Sequence, residues 1–400
     1  MNRLPGHYIR RVWQHDPTLY APPRYRRACS YEPFVPDPLA ELRINLDESI
    51  AGLVSDAERA IVALNAVAGP RLAPLARLLL RTESVASSKI EGMQVDARTL
   101  ARAEANQDGG RSIGRTTADI LANIDAMELA IERAAGEQAM SVATLQEIHR
   151  ALMARDPDAG PGEIRTVQNW IGGNDYNACD ADFVPPPPEE INRLLLDLCT
   201  FCDGETLPPL VQAAIAHAQF ETVHPFKDGN GRAGRALVQI VLRRRGLASR
   251  FVPPISVMLA RNRERYIEGL NLFHGDVVTG WIATFSEAAA AAAQLAARYL
   301  KRVQALQDEW RNRLATSVRP RADAAAWPLI DVLPAHPVLS TTVGMAATAR
   351  TRPAVANGID QLVACGVLVP IGTSPKTRAW ESAELLDLII GLEAGDALAG

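Results

Sequence analysis

Apolar residues recur at the spacing of amphipathic helices over most of this chain, from residue 39 to about residue 313. The runs ELRINLDESIAGLVSDAERAIVALNAV and PLARLLLRTESVASSKIEG both have this period, and residues 96–131 and 141–154 continue it. Ser141, three residues before Thr144, is the expected start of one such helix. A pattern of this length predicts a mainly α fold.

The helical pattern is interrupted once, by DPDAGPGEIRTVQNWIGGNDYNACDADFVPPPP over residues 156–188. Ile164, Thr166 and Val167 are strand formers in alternation, so we predict a short β-hairpin flap closed by the proline run. An ordinary loop is the alternative. Loops longer than about 15 residues are uncommon within helical domains and are often functional.

The segment after Arg319-Pro320 differs from the helical part in its pattern of short elements. We expect a helix ending near Leu333, a short helix over 338–349, a turn at Arg352-Pro353, a helix to Cys365, and then strand, turn and strand in GVLVPIGTSPKTRAW. Helix, helix, helix and hairpin is the order of a winged helix. The sequence therefore predicts a small C-terminal winged-helix domain.

The N-terminal 38 residues contain seven prolines and six arginines against three acidic residues. Few helices fit such a segment, so we expect an extended arm. The predicted organisation is an arm and helical region over 1–110, a helical core over 111–300, a linker helix over 301–320 and the winged-helix domain over 321–400.

Composition limits the class of protein. The chain of 400 residues is 48% apolar and 22% charged, with a net charge of −4, which is typical of a globular protein without a general nucleic-acid-coating field. MNRLPGHYIRR lacks the apolar core of a signal peptide, and the least charged helical run, residues 288–297, is too short to span a bilayer. A cytoplasmic location and no membrane partner are expected.

The cysteines give no sign of a secreted disulfide framework, because their number, five, is odd. Cys199 and Cys202 form a C-x-x-C inside a helical segment, and no second Cys/His pair lies near it. We interpret them as packed helix residues rather than a metal or redox pair.

The segment Phe220–Arg235, FETVHPFKDGNGRAGR, carries the chemistry. Gly229, Asn230 and Gly231 allow a sharp turn whose N–H groups can converge on an anion. The following RAGRALVQIVLRRR is helical, so this turn lies at a helix N-terminus, which favours phosphate. Arg232 and Arg235 are three residues apart, on one helix face, and can hold a polyphosphate.

Two further residues extend this pattern. A carboxylate beside phosphates, Asp228, suits Mg²⁺ binding, and His224 can accept a hydroxyl proton near neutral pH. Phe226 is expected to be a buried anchor. Taken singly, each feature has a plainer interpretation: a packing histidine, a simple turn or solvated arginines. Their combination in one short string favours a functional site.

HPFKDGNGRAGR resembles the Fic family signature HPFx[D/E]GNGRxxR at every specified position. The resemblance extends to PGEIRTVQNWIGG and FVPPPP upstream, and to SVMLARNRERYIEGLN and GWIATF downstream, covering roughly residues 60–290. It implies a Fic-type helical core and a protein adenylyltransferase that moves AMP from ATP to a Ser, Thr or Tyr hydroxyl with Mg²⁺. Related Doc kinases differ at the glycine and last-arginine positions, which are intact here.

The resemblance also implies residue roles. His224 would be the general base, Asp228 the Mg²⁺ ligand, Arg232 the β-phosphate ligand and Arg235 the γ-phosphate ligand. Asn230 and the glycine amides of Gly229 and Gly231 would hold the α-phosphate region, with Phe226 and Lys227 completing the nucleotide-binding motif. The flap would pin the target by backbone pairing.

A second motif, Ser87-Ser88-Lys89-Ile90-Glu91-Gly92, resembles the family's inhibitory motif [S/T]xxxE[G/N]. By that resemblance Glu91 would pair with Arg235 and exclude the γ-phosphate, which places the chain in the family's second class. The plainer interpretation is a helix that ends at Gly92. Glu91 could instead orient a water molecule that removes AMP.

Several alternatives remain open at this point. Between residues 318 and 380 six basic residues stand against three acidic ones, so the winged helix could bind DNA or instead a protein. The chain could be a DNA-binding regulator with a nucleotide-sensing core, or an enzyme that uses another donor, selected near Asn262 and Tyr266. Self-AMPylation and a homodimer are further partner predictions, and the target protein is not indicated.

Overall fold

The structure is a computed structural model that describes residues 6–42, 44–67, 72–107, 113–136, 138–275, 277–371 and 379–397. Its fold is mainly α, as the apolar spacing predicts. The helices are α1 Glu48–Asn65, α2 Leu72–Ile90, α3 Ala97–Gln107, α4 Arg115–Ala134, α5 Val142–Leu152, α6 Pro188–Asp203, α7 Pro209–Val223, α8 Asn230–Arg244, α9 Ile255–Arg261, α10 Arg263–His274, α11 Val278–Ser317, α12 Ala326–Val332, α13 Thr341–Thr348, α14 Arg352–Ala364 and α15 Ala383–Ala394.

The N-terminal arm is extended, and it forms two short antiparallel ladders. Strand β1 Gly6–Tyr8 pairs with β4 Phe34–Pro36, and β2 Arg11–Trp13 pairs with β3 Cys29–Tyr31. The arm contacts the flap region: the Trp13 and Trp170 rings lie 5.4 Å apart, and Tyr25 stacks on Tyr176 at 5.1 Å.

The chain divides into two compact units. The first comprises Met1–Asp56, Asp125–Leu247 and Glu264–Glu287, and the second comprises Ala57–Ile124, Ala248–Arg263 and Ala288–Gly400. These units are not the four predicted domains, whose boundaries stay a prediction.

Helix α7 is the centre of the first unit. Almost all of its residues are buried, because it packs against α6 on one side and α8 on another, and a helix that is apolar on every side must be covered on every side. The buried indole of Trp281 on α11 donates to the carbonyl of Ala214 at 2.7 Å. This packing fixes the C-terminal end of α7, where the signature segment begins.

Helix α2 has the corresponding place in the second unit. It packs against α9 and α15, and the buried Glu83 carboxylate accepts hydrogen bonds from the Ser256 backbone N–H at 2.8 Å and hydroxyl at 2.6 Å. A carboxylate at a helix N-terminus is favoured by the helix dipole. These two bonds therefore join the middle of α2 to the start of α9.

The C-terminal segment holds a three-stranded antiparallel sheet in the order β5, β7, β6. These strands are Val338–Ser340, Ala379–Glu381 and Val369–Ile371. The helices predicted to end near Leu333 and Cys365 are present as α12 and α14. The turn predicted between the last two strands falls on residues 372–378, outside the described part of the chain.

Two local predictions for this segment are wrong. The helix expected over 338–349 begins only at Thr341, because residues 338–340 form β5 and Ser340 caps α13 by accepting the Val343 N–H at 3.1 Å. Arg352-Pro353 is not a turn but the first turn of α14, where proline is tolerated because its missing N–H needs no partner.

The flap is less regular than predicted. The expected strand at Ile164, Thr166 and Val167 does not form, and one antiparallel bridge, between Ile171 and Phe183, closes the loop. Polar side chains of this segment take the backbone acceptors that a ladder would use, as in the bonds from the Gln168 amide to the Asn169 and Pro185 carbonyls.

The cysteines behave in two ways. Cys199 and Cys202 are free and buried on α6, as the packing interpretation predicts, and burial raises the pKa of the Cys199 thiol to about 12. A disulfide, not predicted from the sequence, joins Cys29 in β3 to Cys179 near the flap. Within the described residues, no helix combines the length and the apolarity needed to cross a membrane.

Candidate active site

His224 lies at the point where α7 ends. Its φ of 48° puts it in the left-handed region, which is costly for a non-glycine residue and often marks a functional position. Its Nδ1 lies 3.2 Å from the Glu221 carbonyl oxygen and 3.9 Å from the Glu221 carboxylate. An Nδ1–H that donates to this carbonyl leaves Nε2 as a proton acceptor.

Asn230 holds the loop between α7 and α8 in shape. Its side-chain Oδ1 accepts the Phe226 N–H at 2.9 Å, and its Nδ2 donates to the Phe226 carbonyl at 2.9 Å. The side chain is buried. Asn230 is thus a clamp within the loop, and the backbone N–H groups, rather than this amide, are the donors suited to a ligand.

Gly229 starts α8 in a conformation that only glycine adopts freely. Its φ is +75°, and a Cβ atom there would lie 2.9 Å from the sulfur of Met153 and 3.3 Å from Leu152. Both the dihedral angle and the contact exclude a side chain. The glycine therefore lets the loop pass close to α5 and turn into the helix.

The first turns of α8 concentrate positive charge. Arg232 and Arg235 are both buried, and the first turn contains no acidic residue. Basic residues at a helix N-terminus oppose the helix dipole, so this arrangement is suited to an anion with several charges. Burial lowers the pKa of His217 to about 3, and the positive charge of Arg235 contributes to that shift.

Asp228 precedes Gly229 and is exposed. Its Oδ1 accepts the Gly229 N–H at 2.6 Å. In the described part of the chain no cluster of three or more His, Cys, Asp or Glu side chains could hold a metal by itself. Magnesium needs only one or two carboxylates when phosphate oxygens and water complete its shell, so a single Asp228 fits a metal that arrives with a nucleotide.

Two other predicted site residues have different surroundings. Phe226 is wholly buried and stacks on His149 with ring centroids 3.7 Å apart. It is the anchor expected from the sequence, and only its backbone can face a nucleotide. Lys227 is exposed, and its Nζ donates to the Asp158 carbonyl at 2.6 Å.

The second motif lies in the second unit, at the end of α2. The Met93 N–H donates to the Ser88 carbonyl at 3.1 Å and the Gly92 N–H to Lys89 at 3.0 Å, and Gly92 has a φ of +81°. This is a Schellman ending, as the plainer interpretation predicts. Ser87 is buried, whereas Glu91 is exposed as the last residue before the glycine.

Three functional candidates were missed in the sequence: His149, Arg165 and Asn169. All three donate hydrogen bonds to backbone carbonyls of the loop between α7 and α8. Their signals were weak, because His149 lies within an ordinary helical pattern and the other two lie in the segment assigned to a strand.

Known proteins resemble the chain over this region. Residues 139–242 match the model of the Fic/DOC family, and residues 51–132 match that of the Fic/DOC family N-terminal region. The protein adenylyltransferase fic-1 of Caenorhabditis elegans is 31% identical over 155 residues, which are 37% of this chain and 28% of that protein. The protein adenylyltransferase Fic of Nematostella vectensis is 31% identical over 144 residues, 35% of this chain and 30% of that protein.

Each of these matches therefore spans less than a third of the relative's length. A crystal structure of a Fic family protein from Desulfovibrio desulfuricans G20 superposes with a TM-score of 0.51 and 24% identity, covering 85% of this chain and 97% of that one. At that identity the similarity establishes a shared fold.

Proposed function

We propose that this chain is a protein adenylyltransferase that moves AMP from ATP to a Ser, Thr or Tyr hydroxyl of a target protein. The observation that carries the proposal is the junction of α7 and α8. There His224, with its left-handed backbone, lies six residues before Asn230, the first residue of α8. That helix has Gly229 as its N-cap and buries Arg232 and Arg235. The similarity to adenylyltransferases over the same residues supports the choice of AMP transfer.

The proposed chemistry is a displacement at the α-phosphorus. Nε2 of His224 takes the proton of the target hydroxyl, whose oxygen bonds to the α-phosphorus while the bond to the bridging oxygen of the β-phosphate breaks and pyrophosphate leaves. Arg232 holds the β-phosphate and Arg235 the γ-phosphate. The N–H groups of Asn230 and Gly231 stabilise charge on the α-phosphate, while the N–H of Gly229 holds the Asp228 carboxylate beside it. Most of the catalysis is therefore positioning and electrostatics.

Asp228 would hold Mg²⁺ together with the phosphates. The bound metal would neutralise charge on the polyphosphate. The exposed position of Asp228 beside the phosphate-binding turn supports this role.

Labelled ATP tests the proposed activity. Wild type, Glu91→Gly and the Glu91→Gly/His224→Ala double variant are each incubated in two reactions. One contains lysate as a source of target proteins, and the other contains the purified chain alone. We expect labelled target bands, or self-labelling, that disappear in the double variant while ATP binding survives. Labelling that persists without His224, or ATP binding without any transfer, contradicts the proposal.

We also propose that Glu91 restrains the enzyme by pairing with Arg235, as the class II resemblance implies. The Schellman ending of α2 supports it, because Gly92 fixes Glu91 as an exposed carboxylate at the end of a buried helix. Glu91→Gly should raise AMP transfer about tenfold or more, because the γ-phosphate no longer competes with the Glu91 carboxylate for Arg235; a tenfold change corresponds to about 1.4 kcal/mol in the barrier. Equal rates for wild type and variant would contradict the restraint.

A winged-helix identity for residues 321–400 belongs to the same proposal. The element order α12, β5, α13, α14, β6, β7 and the sheet order β5, β7, β6 support it. Arg350 and Arg352 are exposed at the start of α14, but so is Asp360 on the same helix. DNA binding is the second candidate function. If the chain binds DNA, it should shift the electrophoretic mobility of duplex DNA in a salt-dependent way, and His224→Ala should leave that shift unchanged. The absence of a shift would exclude DNA binding.

A further inference from the structure

The loop between α7 and α8 has an unusual set of partners on its carbonyl side. Four of its carbonyl oxygens, those of residues 224, 225, 226 and 228, accept hydrogen bonds from residues of one upstream stretch, 149–169. We call the three side chains of that stretch that donate to them, His149, Arg165 and Asn169, the carbonyl bracket.

Arg165 is the central member of the bracket. Its Nε donates to the His224 carbonyl at 2.8 Å, and its backbone N–H donates to the Pro225 carbonyl at 2.9 Å. Its Nη2 reaches the Pro186 carbonyl at 2.6 Å, in the proline run that closes the flap. Arg165 is only 6% exposed. One buried side chain therefore joins the proline run of the flap to the loop between α7 and α8.

Asn169 adds two bonds to the same carbonyls. Its Nδ2 lies 3.3 Å from the His224 oxygen and 3.2 Å from the Phe226 oxygen. The opposite amide orientation would set an oxygen against two carbonyl oxygens, so the donor assignment follows from the neighbours.

His149 completes the bracket at Asp228. The Gly162 N–H donates to its Nδ1 at 2.9 Å, which leaves the proton on Nε2, and Nε2 lies 2.9 Å from the Asp228 carbonyl oxygen. The ring is fully buried and stacks on Phe226. Since Gly162 has a φ of +79° and a Cβ there would lie 2.9 Å from the Gln146 carbonyl oxygen, the position of this donor is tightly set.

Peptide geometry gives these bonds a consequence for the ligand side. In a trans peptide group the C=O and N–H point in opposite directions. Holding the carbonyls of Phe226 and Asp228 on the bracket side therefore turns the N–H groups of Lys227 and Gly229 to the other side. There the Gly229 N–H donates to Oδ1 of Asp228 at 2.6 Å and so orients the proposed metal ligand. A loop whose peptide groups are already oriented stabilises charge in the transition state without having to reorganise during the reaction.

We propose that His149, Arg165 and Asn169 are positioning residues for AMP transfer, which set the orientation of the loop's peptide groups and the backbone of His224 before the nucleotide binds. This inference rests on the proposed function for its catalytic consequence. It links the flap, through Arg165, to the geometry of the base.

The test compares Asn169→Ala with Gln168→Ala, its neighbour, whose amide bonds the Asn169 and Pro185 carbonyls but no carbonyl of the loop. His149→Phe is a third variant, which keeps a ring against Phe226 and loses both hydrogen bonds. All variants are made in the Glu91→Gly protein, so that the proposed restraint does not mask changes in rate. Hydrogen exchange of peptides covering residues 224–231, kcat, KM for ATP and the urea midpoint are measured for each and for the parent Glu91→Gly protein.

For Asn169→Ala and His149→Phe we expect loop amide exchange about tenfold faster, kcat lower by about 10–100-fold and KM for ATP within about threefold. Gln168→Ala should stay within about twofold of the parent Glu91→Gly protein in each. A purely structural role would lower the urea midpoint and raise exchange throughout the first unit, and would overturn the inference. So would an Asn169→Ala variant that matches Gln168→Ala.

The two proposals fail separately. If the Glu91→Gly protein binds ATP but transfers no AMP, the proposed function fails, and the exchange of the loop amides still decides the bracket. If the Glu91→Gly protein transfers AMP and the loop exchanges equally in all variants, the bracket alone is wrong.

Discussion

At the scale of single residues, the site depends on backbone conformations that few side chains permit. His224 has a left-handed φ, which is unfavourable for a residue with a side chain. This conformation places its Nδ1 against the Glu221 carbonyl. Gly229 has a left-handed φ as well, but for the opposite reason, since any side chain there would collide with Met153. The site therefore needs the imidazole of His224 at one position and the absence of a side chain at Gly229 at the other.

A pair of helical glycines makes the residue-scale argument measurable. A Cβ on Gly269 in α10 would lie 2.8 Å from the ring of Trp281, which is buried and hydrogen-bonded, whereas a Cβ on Gly52 in α1 would meet nothing within 4 Å. Gly269→Ala should lower the free energy of unfolding by about 1–3 kcal/mol through overpacking. Gly52→Ala should raise it by about 0.5–1 kcal/mol, because alanine favours the helix.

Urea unfolding of the two variants and wild type measures both changes, and both glycines lie in the first unit. A stabilised Gly269→Ala, or a Gly52→Ala that loses stability, would contradict the packing described for α10 and α1.

At the scale of elements, the arm and the flap are joined by more than packing. The Phe34 N–H donates to the Val184 carbonyl at 2.9 Å, and the Asn177 amide donates to the Tyr25 carbonyl at 3.0 Å. Arg11 of the arm also pairs, at 2.6 Å, with Glu189 in the first turn of α6, directly after the flap. The disulfide between Cys29 and Cys179 adds a covalent link in the same region. The flap is therefore held by the arm on one side and by Arg165 on the other.

The disulfide predicts a specific pattern of thiol chemistry. When the protein is unfolded without reductant and alkylated, three cysteines, Cys199, Cys202 and Cys365, should be modified, and all five after reduction. Cys29→Ser should lower the free energy of unfolding by about 2–4 kcal/mol, because it releases a closed loop. Cys365→Ser is the control and should leave the link intact. Alkylation of five cysteines without reductant, read by mass spectrometry, would show that the link is absent.

At the scale of the whole molecule, the two units contain buried titratable groups of opposite kinds. In the first unit, burial lowers the pKa of His217 to about 3 and of His274 to about 4. In the second unit, burial raises the pKa of Glu393 on α15 to about 7. Its Oε1 atom is inaccessible to solvent, although the residue as a whole is half-buried. The units should therefore respond to pH in opposite directions.

The sign follows from proton uptake. Below pH 6.5, His217 and His274 are protonated in the unfolded chain but stay neutral in the folded one. The first unit should therefore lose stability as the pH falls from about 6.5 towards 4. The folded Glu393 keeps a proton that the unfolded chain releases above the usual glutamate pKa of 4.5, so the second unit should lose stability as the pH rises from about 4.5 through 7.

Hydrogen exchange in graded urea, corrected for intrinsic rates, measures the two units separately at pH 5 and pH 8. Glu393→Gln should remove the loss in the second unit at pH 8 and leave the first unit unchanged. Parallel responses of both units would show that these groups do not dominate the pH dependence.

The sequence by itself determined the mainly α fold, the N-cap at Ser141, the signature segment and the burial of Phe226 and of the C-x-x-C pair. These follow from apolar period and local residue chemistry, which act over a few residues. The strand expected around Ile164–Val167 was wrong because the Arg165 backbone N–H, which a ladder would use, donates to the Pro225 carbonyl instead. The Arg165 and Asn169 side chains also bond a carbonyl of that distant loop.

Only the tertiary structure decided the link from Cys29 to Cys179, the bracket of His149, Arg165 and Asn169, and the role of Asn230 as a loop clamp. Each depends on atoms brought together by chain closure over long separations or on the exact turn of one peptide group. Neither a residue's type nor its spacing encodes that information, because the same side chain can point to solvent or to a carbonyl until the packing of α5, α7 and α8 fixes its surroundings.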